Sequence, residues 1–260
     1  MPFPNFEGKH AHDAFFSPQD FLAHLRTSGR LPEQAVTTPA GVVVCYQPSL
    51  LRHVVETERT EPWTASACTV HLLERTGDRV GVAGGFGIGA PLAAIVVEEL
   101  IAFGVREFVT VGTAGGLQPA HRVGDVVVCS RAVRDEGVSH HYLAPAPTVL
   151  PSPPLTTRLK DALERAAVPF HEGPTWTIDT PYRETVEEVR HYQREGVATV
   201  EMEAAAVFAV AEHRGVAAAA AFAISDSLAD LVWDPQFETP AVRDALHRAY
   251  RAAVETLATG

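Results

Sequence analysis

Cysteine, positive charge and long apolar runs are all scarce in this chain, and each scarcity argues against a class of protein. The three cysteines, Cys45, Cys68 and Cys129, lie far apart without metal-ligand spacing. That fits a reducing cytoplasm rather than a disulfide framework, with all three read as buried small hydrophobes. Lys and Arg number 21 against 32 Asp and Glu, a formal net charge of -11. Gripping nucleic acid needs clustered cations, so nucleic acid is not an expected partner. The most apolar stretch, Gly215 to Ile224, is about ten residues long where a membrane span needs about 20, so it reads as a core strand. The first residues lack the basic-then-apolar order of a signal peptide. Among the 12 histidines, His140 and His141 are adjacent, but no second cluster has zinc spacing, so no metal is expected.

What is present is ordinary globular composition, 46% hydrophobic and 20% charged over 260 residues, which predicts one α/β domain spanning 1–260. From Gly41 onward, strand-length apolar runs alternate with helical patterns, the signature of a sheet flanked by helices. Strands are expected at 42–45, 80–83, 108–111 and 125–129. Helices are expected at 90–103, 157–167, 185–195, 203–213 and 241–257. The stretch 144–154 holds five prolines and reads as an extended loop.

Two glycine clusters stand at strand ends. Gly84 to Gly89 leads from a strand into a helix, where exposed N–H groups can meet an anion or simply make a tight turn. Its spacing is not the dinucleotide fingerprint. Gly112-Thr113-Ala114-Gly115-Gly116 reads as a second turn, with the Thr113 hydroxyl among backbone amides at the carboxyl end of a strand, the place where ligands bind in such sheets. Val200-Glu201-Met202-Glu203 sets two carboxylates around a methionine where a strand-like run meets a helix. A carboxylate there either favours the helix start or accepts hydrogen bonds from both hydroxyls of a ribose, with methionine packed on sugar or base. Asp226 follows the apolar run through Ile224, where a carboxyl group either caps a turn or serves as a general acid.

Taken together, these segments resemble the nucleoside phosphorylase superfamily, in its branch of hexameric uridine and purine nucleoside phosphorylases. The ordered motifs run from Gly84–Pro91 through Val109–Pro119, Val123–Val126, Glu136–Ser139 and Thr177–Tyr182 to Val200–Ala206 and Ile224–Asp226. The resemblance implies a central mixed sheet, partly closed into a barrel and flanked by helices, with active sites near subunit interfaces. It implies that Met202 and Glu203 hold the ribose with Glu201 adjoining, and that Thr113 contacts phosphate beside Gly112 and the Gly87 to Ala90 turn that includes Gly89. It implies that Tyr182 lies at the base site and that Asp226 protonates a purine ring nitrogen as the base leaves. It also implies a homo-oligomer, a dimer at least and up to a hexamer, in which His12, with His10 in reserve, completes the neighbour's sugar site.

Departures from the family pattern fall at two places. The glutamine and arginine that read uracil are replaced by Arg183 and Glu184, which shifts the expectation towards purines. The phosphate turn Gly-Asp-Pro-x-Arg has Tyr46-Gln47-Pro48-Ser49 as its nearest counterpart, and an arginine before the second glycine cluster is replaced by Thr110. Arg52, then Arg134 and Arg59, are the candidates to replace the missing phosphate ligands. The expected reaction is cleavage of a nucleoside's N-glycosidic bond by inorganic phosphate as co-substrate, giving base and pentose 1-phosphate, with no organic cofactor. Hydrolysis is the alternative, because nucleosidases of the same superfamily carry Gly-Ser-Ala-Gly-Gly where this chain has Gly-Thr-Ala-Gly-Gly. A uridine-type pyrimidine phosphorylase and a non-catalytic nucleoside-binding protein stand behind these.

Overall fold

A computed structural model describes residues 4–31 and 38–260. Its chain order is α1 (Pro18–Thr27), β1 (Gly41–Cys45), α2 (Pro48–Thr57), β2 (Thr60–Thr64), β3 (Thr69–Leu73), β4 (Val80–Gly84), α3 (Ala90–Phe103) and β5 (Glu107–Gly116). There follow β6 (Val126–Asp135), β7 (Thr148–Val149), α4 (Pro153–Arg165), β8 (Phe170–Ile178), α5 (Val186–Arg194) and β9 (Thr199–Glu201). The last elements are α6 (Ala204–Arg214), β10 (Ala217–Ser227), β11 (Asp234–Pro235) and α7 (Pro240–Ala258).

The helix ends follow local chemistry. Gly89 opens α3 with φ 102° and Gly104 closes it with φ 116°, both in the region that disfavours side chains. Thr185 and Glu188 form a reciprocal capping box at α5. Gly215, at φ 67°, ends α6.

Strand pairing closes a barrel. β5 pairs β10 in parallel, β10 pairs β6 antiparallel, β6 pairs β8 in parallel, β8 pairs β9 in parallel, and β9 returns antiparallel to β5. From β5 the sheet continues outward through β1, β4, β3 and β2. The mixed sheet partly closed into a barrel, expected from the resemblance, is therefore what forms. The alanine run of β10 is buried on both faces, with Ala218 and Ala220 in one core and Ala219, Ala221 and Ala223 in the other. Such a two-sided strand sits in the middle of a structure with helices on both sides.

Two expectations need correction. Gly112 to Gly116 is not a turn, because β5 runs straight through it, pairing with Phe222–Ser227 on one side and with Thr199 and Val200 on the other. The glycines are there for proximity. A Cβ on Gly115 would lie 2.7 Å from Leu228 Cδ1, 3.0 Å from Val200 Cγ1 and 3.3 Å from Asp226 Oδ2. The proline-rich stretch 144–154 is also not wholly loop, since Thr148 and Val149 pair with β6 and α4 begins at Pro153, where prolines are tolerated in a first helical turn.

Gly115→Ala is accordingly expected to destabilise the fold by about 1–3 kcal/mol through overpacking. Urea unfolding would measure it, and an unchanged midpoint would contradict the close approach of the three strands.

Candidate functional site

The end of β9 and the start of α6 form a buried turn held together by one carboxylate. Glu201 Oε1 accepts the Thr177 hydroxyl at 2.5 Å, and Oε2 accepts the backbone N–H of Glu203 at 2.8 Å and of Ala204 at 2.7 Å. Both Glu201 oxygens are thus engaged within the protein, satisfying donors that the first turn of α6 leaves open. Glu203 is differently placed. It is the residue before α6, and its Oε1 accepts the N–H of Gly89, the residue before α3, at 2.6 Å. Its carboxyl group therefore lies at the amino ends of two helices.

Burial raises the pKa of both glutamates, and the neighbouring Glu201 charge pushes Glu203 further up. Three donors to Glu201 make it the natural holder of negative charge, leaving Glu203 as the group that retains a proton towards neutral pH. Tyr46 is buried beside them, and burial followed by the Glu203 and Glu201 charges raises its phenol well above the ordinary value.

Asp226 reaches its position through a β-bulge. Ile224 pairs with Ala114 and Asp226 with Gly115, so Ser225 is the extra residue. Because side chains alternate along a strand, the bulge gives Asp226 the side of β5 that carries Thr113. Asp226 is buried, accepts the Ser225 hydroxyl on Oδ1 at 2.8 Å, and accepts the Trp233 indole N–H on Oδ2 at 3.0 Å. Glu184 stands close enough to feel it. Burial first, then the Asp226 charge, pushes the Glu184 carboxyl up to about 7.

Thr113 pairs with a glutamine. Gln47 Nε2 donates to Thr113 Oγ1 at 2.8 Å, while Gln47 Oε1 and the Tyr46 hydroxyl are buried without hydrogen-bond partners among the described residues. Tyr46 and Gln47 flank Gly112, where a Cβ would lie 3.2 Å from the Tyr46 ring and 3.7 Å from Gln47 Oε1. These neighbours link Thr113, Gly112, Glu203 and Gly89 around one end of the barrel, and Gly115 connects them through Val200 to Asp226. Met202, between the two glutamates, is half-buried.

The remaining expected residues lie elsewhere or outward. Arg134 is no phosphate ligand: it is buried, and it donates to Ser139 Oγ at 2.9 Å and to the carbonyls of Ala144 at 2.8 Å and Leu143 at 3.3 Å, holding that loop. Arg52 and Arg59 are exposed, and Arg52 has no ion pair among the described residues. Tyr182 is 100% exposed, so its ring lines nothing in this chain. His12 is exposed and meets the Phe6 ring edge-on at 5.8 Å. The three cysteines are buried and free. Among the described residues, no cluster of three His, Cys, Asp or Glu is arranged to hold a metal ion, and no helix is long and apolar enough to cross a membrane. A cavity of about 380 Å³ lies apart from the carboxylates, between Leu25, Arg30 and Leu31 on one side and 63–66 on the other.

Sequence reasoning missed Gln47 as the partner of Thr113 and missed Trp233 altogether. Gln47 stood in the motif position already noted as a departure from the family. Trp233 carried no signal, since only the folding back of β11 onto β10 brings it to Asp226.

The buried Glu201 and Glu203 pair thus stands at the turn from β9 into α6, with Glu203 bonded to the glycine that opens α3. The model of the phosphorylase superfamily matches residues 41–258, and the chain belongs to that superfamily. It is 39% identical to the guanosine phosphorylase of Halorubrum lacusprofundi over 55% of this chain and 59% of that protein. The chain spans about half the length of the curated relatives it matches, 54% for the uridine phosphorylase of Thermococcus kodakarensis and 58% for that of Escherichia coli. Among solved structures, the purine nucleoside phosphorylase of Toxoplasma gondii in complex with immucillin-H superposes with a TM-score of 0.76 at 21% identity, covering 88% of this chain and 94% of that one.

The raised glutamates have a stability consequence. The folded state holds its proton on Glu203 more tightly than the unfolded chain, whose ordinary value is 4.5. The associated stability is complete below that value and is lost as pH rises through neutrality. Glu203→Gln is neutral throughout, so its melting temperature is expected to fall less than that of the wild type between pH 5 and pH 8. Parallel curves for the two proteins would show that Glu203 does not carry this titration.

Proposed function

We propose that this chain cleaves the N-glycosidic bond of a nucleoside by phosphorolysis, yielding a free base and a pentose 1-phosphate, with a leaning to purine or purine-like bases. The observation that supports the reading is that Gly115 lies against both Asp226 and Val200, the latter on the strand that leads into the Glu201 to Glu203 turn. Departure of the base leaves positive charge on the sugar carbon and ring oxygen and negative charge on the base. Glu203, with Met202 packed beside the sugar, orients the ribose hydroxyls, and Asp226 delivers the proton that neutralises the leaving base. Glu201 builds the turn that holds Glu203. The guanosine phosphorylase relative supports the leaning to purines, and Glu184 beside Asp226 supports it too, since a carboxylate accepts from the N–H edge of a 6-oxopurine.

Phosphate enters beside Thr113 and the amides of the Gly84 to Gly89 turn, with Arg52 as the first candidate cation. The reaction runs in the cytoplasm, with no organic cofactor. The working unit is a homo-oligomer, a dimer at least, to which His12 contributes across the interface. One observation favours water as nucleophile instead: Thr113 is paired with the neutral amide of Gln47 rather than with a guanidinium.

The test is to incubate the protein with a nucleoside panel, with and without phosphate, and identify the sugar. Pentose 1-phosphate formed at a rate saturating in phosphate is the expected result, whereas free pentose at a phosphate-independent rate would establish hydrolysis. No turnover of any nucleoside would leave only a binding protein.

Asp226→Asn should lower turnover of natural purine nucleosides by roughly 10²–10⁴-fold, and of substrates with activated leaving groups much less, since these need less proton donation. Equal losses on both would remove Asp226 as the acid.

A further inference from the structure

Tyr182, expected at the base site from the resemblance, stands fully exposed. Another ring is already attached to the candidate acid. Trp233 hydrogen-bonds Asp226 Oδ2 through its indole N–H at 3.0 Å, yet the residue is 63% exposed. Its one polar atom is therefore tied to Asp226, and what it offers to solvent is apolar ring.

The segment bearing it is fastened to the strand that carries Asp226. Leu228 N–H donates to Gly116 O at 2.9 Å, Asp226 pairs with Pro235 and Ser227 with Asp234, and Gln236 N–H donates to Ser225 O at 2.9 Å. Phe237 lies alongside, its ring centroid 6.4 Å from that of Trp233. The other two tryptophans are placed differently, Trp63 against Phe103 and Trp176 fully buried with its N–H on Asp135.

We propose that Trp233 is the stacking wall of the base subsite: its N–H holds the Asp226 carboxylate, and its exposed ring takes the flat face of a heteroaromatic base. The inference rests on the nucleoside-cleaving reading above. A ring so pinned presents a face of fixed orientation beside the Asp226 carboxyl group, and a base stacked on that face lies in a parallel plane with its edge next to Asp226. Stacking of this kind tolerates any base with a π-face, while Asp226 and Glu184 at the edge select among them.

The full-length protein is titrated with hypoxanthine, and separately with uracil, following tryptophan fluorescence and binding heat, for wild type, Trp233→Phe and Trp233→Leu. Steady-state kinetics on inosine accompany the titrations. Base binding is expected to quench wild-type fluorescence, and the quench should vanish in both variants. Trp233→Leu should weaken hypoxanthine binding and raise KM about tenfold or more, the size of one lost stack. Trp233→Phe keeps a ring without its N–H, so it should bind hypoxanthine within about threefold of wild type while kcat falls. Melting temperatures close to wild type are expected for both, as the ring is exposed. If wild type turns over inosine while Trp233→Leu keeps its KM and its hypoxanthine affinity, the stacking role is wrong and the catalytic reading stands. If wild type neither binds a base nor cleaves any nucleoside, both fall.

Discussion

Everything at the candidate site depends on one close approach, the passage of β5 between β9 and β10 with no side chain at Gly115 or Gly116. Backbone hydrogen bonding from both sides requires the three strands to pack within reach of each other's side chains, and Leu228, Val200, Ile224 and Asp226 fill the space where a Cβ would stand. That packing closes the barrel. It also brings together the two places where buried carboxylates enter: the β9 to α6 turn with Glu201 and Glu203, and the bulge in β10 that presents Asp226.

Burying acids in a chain already at net charge -11 needs compensation, and at this site it comes from neutral donors, whereas the buried Glu98 elsewhere takes the Arg214 guanidinium. Glu201 takes two amides and a hydroxyl, Glu203 takes the first amide of the α3 entry, and Asp226 takes a hydroxyl and an indole N–H. Neutral donors compensate a carboxylate without cancelling its charge, which leaves it able to accept hydrogen bonds from hydroxyls. The same economy extends to Thr113, whose partner is the Gln47 amide. In the proposed reaction, phosphate entering there would meet amides and hydroxyls first, with an exposed arginine such as Arg52 as the candidate cation.

The sequence was most legible where a single element carries its own signal. Helix α3 was read with its observed ends because Gly89 and Gly104 mark them, and the Ala-rich strand β10 was read from its apolar run. Glu203 and Asp226 were legible as carboxylates out of place in apolar surroundings. Reading failed where meaning lies in the neighbours. Gly112 to Gly116 looks like a turn to any local rule, and only the side chains of two adjacent strands explain why it is extended. Arg134 looks like a free cation until the carbonyls of 143 and 144 are seen around it. Glu184 is distant from Asp226 in sequence, and Trp233, though close to it along the chain, is silent alone; only the fold shows both to be its neighbours.

The central claim is that Glu203 and Asp226 act on opposite ends of one bound nucleoside. A crystal structure with a non-cleavable purine nucleoside analogue tests it most directly. The account predicts ribose hydroxyls within hydrogen-bond distance of Glu203 and a purine ring nitrogen within the same distance of Asp226 in a single ligand. An analogue bound with either carboxylate out of reach, or seated instead in the cavity between Leu25 and Trp63, would contradict it.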